Sequence, residues 1–345
     1  MATTFAVPDG RVAMAATLYT GTGATQAVSN AVNTVSFQPD FVWMKGRSGA
    51  TDHALYDSVR GTTLDLVSNS TAAETTQTTG LTTFGAAGFT VGALAKVNTS
   101  AATYVGWNWK AGGTAVSNTA GTITSSVSAN TTAGFSVVTY TGTLSAPGTA
   151  TVGHGLGVAP AMIITKSRSA TSYWNVNHVS LTTWSYLCFL NTTEAALNSS
   201  ASGTIVAPTN TVFTTNFTGG MNVSGVTQVA YCWAPVAGYS AFGSYTGNGS
   251  ADGPFIYTGF RPRWIMVKSS SAVESWYVWD SSRDAYNVES AQLYPNLSNA
   301  EASAVSIDAN SNGFKCRSAT VVNASGSTYI YACFAENPLR YSNAR

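Results

Sequence analysis

Charged side chains are scarce in this chain. Of 345 residues, 16 are Lys or Arg and 15 are Asp or Glu, which is 9% of the chain and a formal charge of +1. An ordinary globular domain carries about 25%. A near-neutral chain has no basic surface to supply affinity for DNA or RNA phosphates, so nucleic acid is excluded as a partner. No apolar run approaches the roughly 20 residues that a membrane helix needs, so membrane insertion is not expected. Cysteine is sparse as well. Cys188, Cys232, Cys316 and Cys333 are too few for the disulfide framework of a small secreted domain and show no CxxC spacing for zinc or redox chemistry. Cys232 and Cys333 lie in apolar runs and read as small buried hydrophobes. The N-terminus, MATTFAVPDG, has no charged region leading into a long apolar one, so no secretory signal is expected.

Polarity comes instead from 40 Ser, 48 Thr and 32 Gly. The apolar fraction of 44%, with Trp, Tyr and Phe at 11%, is too high for a disordered chain. The length accommodates two or three domains of about 100–150 residues, each with its own core.

Internal repetition organises the sequence. Tyr-Thr-Gly occurs at Tyr19, Tyr140 and Tyr245. Each copy is followed by a proline (Pro39, Pro160, Pro262) and an apolar run ending in lysine: FVWMK to Lys45, MIITK to Lys166, WIMVK to Lys268. Twelve residues beyond each lysine stands a polar residue, Asp57, His178 or Asp280. A polar turn follows, beginning at Ser68, Leu190 and Pro295, and then GFTV at Gly88, VFTT at Val212 and GFKC at Gly313. Each copy closes on an aromatic strand that ends at Trp109, Trp233 or Phe334. Six ordered landmarks in three copies define three tandem domains of one type.

Within each repeat the period is two, not 3.6, and β-branched and aromatic residues dominate between Gly, Asn, Ser and Pro. Runs such as MIITK read as strands buried on both sides. The expected fold is all-β: three tandem β-sandwich repeats of one type with a short N-terminal arm. The expected divisions are an arm over 1–18, a first repeat over 19–112, a Ser/Thr/Gly-rich linker over 113–133 (an extended strand-like arm or a flexible linker), a second repeat over 134–237 and a third over 238–345. Single helical turns are expected at 72–74, 194–196 and 299–302.

Few residues offer chemistry. His53, His154 and His178 fall at different points of their repeats and form no ligand pair; His154, in GHGLG, reads as part of a loop at a sandwich end. There is no GxSxG elbow and no phosphate-binding loop. A glycan-cleaving enzyme would use two carboxylates about 5–10 Å apart, and Asp57 and Asp280 are the candidates. Each is followed three residues later by an arginine, Arg60 or Arg283, so a local ion pair fixing a turn is the simpler reading. Arg261 and Arg263, flanking Pro262, read as solvated loop residues. Among the aromatics, Trp107, Trp109, Trp233, Trp276 and Trp279 read as core, and Tyr239, Tyr286 and Tyr294 as surface candidates for stacking on a sugar. No catalytic, cofactor-binding or metal-binding residue is assigned, no cofactor is expected, and no ligand-binding residue can be named.

The order of YDSVRG, SVSANTTAGFSVVTYTG, VGHGLGVAP, GSYTGNGSADGPF and the terminal AENPLRYSNAR resembles a repeat family of tailed-bacteriophage virion proteins, frequent in marine phages and usually labelled tail fibre proteins. The resemblance spans Thr17 to Arg345. It implies a structural, non-enzymatic virion protein, a tail fibre or tail appendage contacting the host surface, with capsid decoration on the phage head as the alternative and a glycan depolymerase behind both. It further implies other virion proteins of tail or capsid as partners, a homo-oligomer with trimer favoured, a host-surface glycan or receptor as the contact, and a place on the particle surface after assembly in host cytoplasm.

Overall fold

A computed structural model describes residues 5–336 of the chain, whose regular structure is almost entirely antiparallel strands. Each repeat is a β-sandwich of an inner and an outer sheet. The inner sheets share one strand order. In the first repeat it runs Met14–Thr20, Thr103–Trp109, Phe41–Gly46, Ala54–Asp57, and in the second Phe135–Thr141, Thr227–Trp233, Met162–Ser167, Asn175–His178. In the third it runs Ser240–Thr246, Thr328–Ala335, Pro262–Ser269, Tyr277–Asp280. The register repeats too: Phe41 faces Trp109, Met162 faces Trp233 and Trp264 faces Phe334 across the sheet. The outer sheets have three, two and four strands in turn and are centred on the pairs Val28–Phe89, Val152–Phe213 and Ile256–Phe314.

The lysine-ending runs are apolar throughout because they bury both faces, and successive side chains point opposite ways. In the first repeat Val42 and Met44 pack outward with Phe89 and Val91, while Phe41 and Trp43 point inward. The three inward faces meet in one aromatic core built from every repeat, with Phe41, Trp107 and Trp109 from the first, Phe135, Tyr231 and Trp233 from the second, and Trp264, Trp276 and Phe334 from the third. Trp109 lies edge-on to Trp233 at 6.0 Å and to Trp264 at 5.3 Å, and Phe41 stacks on Tyr231 at 4.3 Å. Such pairs contribute about 0.5–1.5 kcal/mol each beyond their buried area. The repeats are therefore not beads on a string. They close around a common axis as an internal trimer.

Three local expectations change. The stretch expected as an N-terminal arm already contains the inner strand from Met14, paired with Trp109. The segment 113–133 is not a free linker: Val116–Asn118 and Ser125–Asn130 extend the second inner sheet beyond Phe135–Thr141, with Ile123 and Val127 buried. The expected helical turns at 72–74, 194–196 and 299–302 do not form; these residues carry no helix, and Ala302 begins a strand. Their backbone is taken up by the neighbouring repeat, with Glu74, Ala196 and Glu301 donating N–H to the carbonyls of Arg168, Ser270 and Arg47. The terminal motif of the resemblance falls largely in 337–345, outside the described residues.

Candidate functional site

Asp57, His178 and Asp280, the polar landmark of each repeat, stand at the three joints between repeats. Each joint is built from equivalent positions. Asp57 of the first repeat accepts a hydrogen bond from the Tyr231 hydroxyl of the second at 2.8 Å. His178 of the second meets the Tyr331 carbonyl of the third at 3.1 Å. Asp280 of the third accepts from the Trp107 indole of the first at 2.9 Å, closing the ring.

Going the other way, the buried lysines clamp their neighbours' polar turns. Lys45 donates to the Ser298 carbonyl at 3.2 Å, Lys166 to that of Thr71 at 3.1 Å and Lys268 to that of Thr193 at 3.3 Å. These carbonyls explain how an apolar strand ends in a buried ammonium, since a buried charge persists where hydrogen bonds replace water. Burial lowers Lys45 and Lys166 to about 8. Eight residues past each lysine stands His53, Trp174 or Trp276. His53 Nδ1 accepts from the Trp43 indole, and its Nε2 bonds the Tyr294 carbonyl. The indoles of Trp174 and Trp276 donate to the Val67 and Phe189 carbonyls.

Two joints are ionic and one is not. Arg60, fully buried, pairs with Asp57 and with Glu74, which also accepts from Arg168 of the second repeat. Burial opposes the Arg60 charge, yet Asp57, Tyr231 and Glu74 outweigh it and hold the guanidinium above its ordinary value. Arg283, Asp280 and Glu301 repeat the pattern with Arg47 of the first repeat. At the joint between second and third repeats the same positions are His178, Leu181, Ala196 and Ser270, and Leu181 joins the apolar core.

Chemically these groups are occupied. Asp57 and Asp280 have side chains with no exposure, so neither presents a carboxylate to a substrate. Burial drives His53 down to about 3 and His178 to about 4, and lowers His154. His154 and His178 both accept a backbone N–H at Nδ1, from Leu156 and Ser180, and point Nε2 at a carbonyl. All three rings are thus neutral structural pins with the proton on Nε2. The four cysteines are buried free thiols. Among the described residues no cluster of His, Cys, Asp or Glu could hold a metal ion.

Two surface expectations are corrected. Arg263 is buried against Ser282, and Arg261 is only partly exposed and pairs with Glu336. Tyr239 is buried against Phe334 and Tyr294 is half-buried against Tyr277, which leaves only Tyr286 of the three fully exposed. Trp107, Trp109, Trp233, Trp276 and Trp279 are core.

An open hollow of about 360 Å³ on the second repeat is lined by Ser and Thr hydroxyls, Tyr140 and Arg168. Its one cation is already paired with Glu74. Sequence reading passes over Phe255 and Tyr257, which are exposed on the outer sheet of the third repeat. Aligning the repeats on their outer strands would find them, because the equivalent positions hold Ala27 and Ser29 or Thr151 and Gly153.

No curated protein and no solved structure matches the chain. Residues 12–338, nearly its full length, match the domain of unknown function DUF7483, and the chain belongs to that family.

Proposed function

We propose that this protein is a structural part of a tailed-bacteriophage virion, a tail fibre or tail appendage that contacts the host surface. The sequence resemblance supplies the class. The observation that carries the reading is how the chain uses its few charged and titratable groups: Asp57, Arg60, Glu74, Arg168, Asp280, Arg283, Glu301, Arg47 and the three interior lysines all serve to lock repeat to repeat. Such an economy suits a rigid scaffold, because buried pairs are screened little by salt and the surface keeps few ion pairs to lose. The three-fold order that the resemblance implies as a homotrimer is present here within one chain, so one copy can supply a three-fold unit.

The test is electron microscopy of purified virions labelled with gold-conjugated antibody to this chain. Gold on the tail is expected. Gold confined to heads would replace the tail assignment with capsid decoration, and unlabelled particles would overturn the reading altogether.

A further inference from the structure

The internal three-fold supplies its own control, because equivalent positions in three repeats reveal what the fold requires and what one repeat adds. On the outer sheet, Val28, Val152 and Ile256 are the buried equivalents. Their flanking positions are Ala27 and Ser29, both exposed, in the first repeat, Thr151 and Gly153, covered by Thr122 and Asn118, in the second, and Phe255 and Tyr257 in the third. The fold thus needs no aromatic there, yet Phe255 is 46% exposed and Tyr257 69%. Both stand on one face of the strand, about 7 Å apart. Of the four aromatic residues among those described that remain well exposed (Tyr173, Phe255, Tyr257 and Tyr286), three belong to the third repeat.

The surroundings are those of a flat, uncharged platform. The Phe255 ring lies across Gly313, where a Cβ would come within 2.9 Å of its Cζ, and Tyr257 extends beside Gly259. Lys315, opposite Phe255 in the sheet, pairs with Asp252, and Arg317 pairs with Asp308. Two bases and two acids cancel at the rim. We infer that Phe255 and Tyr257 form a stacking platform for a neutral glycan, taking the apolar C–H faces of successive pyranose rings while the Tyr257 hydroxyl and the rim pairs meet sugar hydroxyls. The two rings leave on the order of 200 Å² accessible, against roughly 800 Å² per partner in a stable protein interface, so the platform fits a small ligand and not a protein. The balanced rim favours a neutral glycan over an anionic one. The site deepens the reading above, on which its biological setting rests, by naming the surface and the chemistry of the host contact.

The test titrates the full chain with soluble neutral hexasaccharides of glucose, mannose, galactose and N-acetylglucosamine, and with oligogalacturonate as the anionic comparison, following saturation-transfer NMR and calorimetry. At least one neutral hexasaccharide is expected to bind, with transfer confined to C–H protons. Phe255→Ala/Tyr257→Ala should weaken it about tenfold or more, with the melting temperature within about 2 °C of the parent because both rings are exposed. Ala27→Ser/Ser29→Ala, at the equivalent face of the first repeat, should leave binding unchanged. Failure of every neutral sugar, unchanged binding by the Phe255/Tyr257 double variant, or salt-sensitive binding of oligogalacturonate alone would overturn the site. A light-scattering mass that falls to one chain only in the Phe255/Tyr257 variant would also overturn it, because the platform would then be covered by a second copy. Those failures leave the gold-labelling result untouched. Conversely, sugar binding by a chain absent from virions would keep the site and overturn the virion role.

Discussion

Asp280→Asn probes the joint that closes the ring, between residues more than 170 positions apart in sequence. Asp280 Oδ2 accepts from Arg283 Nε at 2.6 Å and from the Trp107 indole at 2.9 Å, while Oδ1 accepts the backbone N–H groups of Ser282 and Arg283. All these partners are donors, so the amide of asparagine must turn its own N–H₂ toward one of them. Arg283 keeps Glu301 and the Val278 carbonyl but loses its fully buried counter-charge. Removing one partner of a buried ion pair costs about 3–5 kcal/mol. The shift in melting temperature depends on how much of the chain unfolds together. Unfolding entropy is about 2.1 cal/mol/K per residue. A cooperative unit of 345 residues then has about 0.7 kcal/mol/K, so the loss is roughly 4–7 °C. A single repeat of about 100 residues melting alone would fall roughly 15–25 °C. Tryptophan fluorescence during a thermal ramp reads the core directly, since seven of the nine tryptophans are among the largest fully buried side chains. A shift under about 1 °C would refute the assigned role of Asp280, and a separate early transition would refute the coupling of the repeats.

His53 and His178, held neutral with values near 3 and 4, take up protons on unfolding once the pH drops below about 6.5, so each removes roughly 1.4 kcal/mol of stability per pH unit as the pH falls toward its folded value. Glu289 acts oppositely. Burial, then the Asp280 charge, raises it to about 8, and neither carboxylate oxygen has a hydrogen-bond partner among the described residues. It is protonated in the fold and ionised in the unfolded chain between about 4.5 and 8, so it removes stability as pH rises through that interval. These three groups together predict a net acid slope of about 1.4 kcal/mol per unit between pH 6.5 and 4.5, measured by denaturant titration at several pH values. Glu289→Gln should stabilise the protein by a few kcal/mol at pH 8 and steepen that slope to about 2.7 kcal/mol per unit; an unchanged slope would remove Glu289 from this account. His178→Asp places a carboxylate where no guanidinium waits and should cost about 3–5 kcal/mol. Adding Leu181→Arg and Ala196→Glu rebuilds the Asp–Arg–Glu part of the other two networks, leaving Ser270 where they carry a second arginine, and should recover at least half of the loss in the same melt, whereas a harmless His178→Asp would refute the equivalence of the three positions.

Strands and repeats were legible because the landmarks recur and the apolar period is two. The internal trimer was not. In FVWMK and WIMVK both alternating sets are apolar, since Phe41 and Trp43 line the axis while Val42 and Met44 line the sandwich, and period alone does not distinguish an interface from a core. For 113–133 a strand-like arm and a flexible linker both stayed open, because Ser125 to Ser128 carry hydroxyls on both faces and leave no apolar alternation beyond Val127. The Asp–Arg pairs were legible as local contacts at i and i+3, which they are. Their second partners, Tyr231, Glu74, Trp107 and Glu301, lie too far along the chain for spacing to reveal. Phe255 and Tyr257 hide in an apolar triplet with Ile256 that reads as core, and only the comparison with Ala27 and Ser29 sets them apart.

The central structural claim is that three repeats form one cooperative unit closed by the joint between third and first. Differential scanning calorimetry of the unmodified chain measures this most directly. At about 0.7 kcal/mol per residue, unfolding of the whole chain absorbs roughly 240 kcal/mol. A single transition is expected, with a van't Hoff enthalpy equal to that calorimetric value. A van't Hoff enthalpy near 70 kcal/mol, that of one repeat, or three resolved transitions would contradict it.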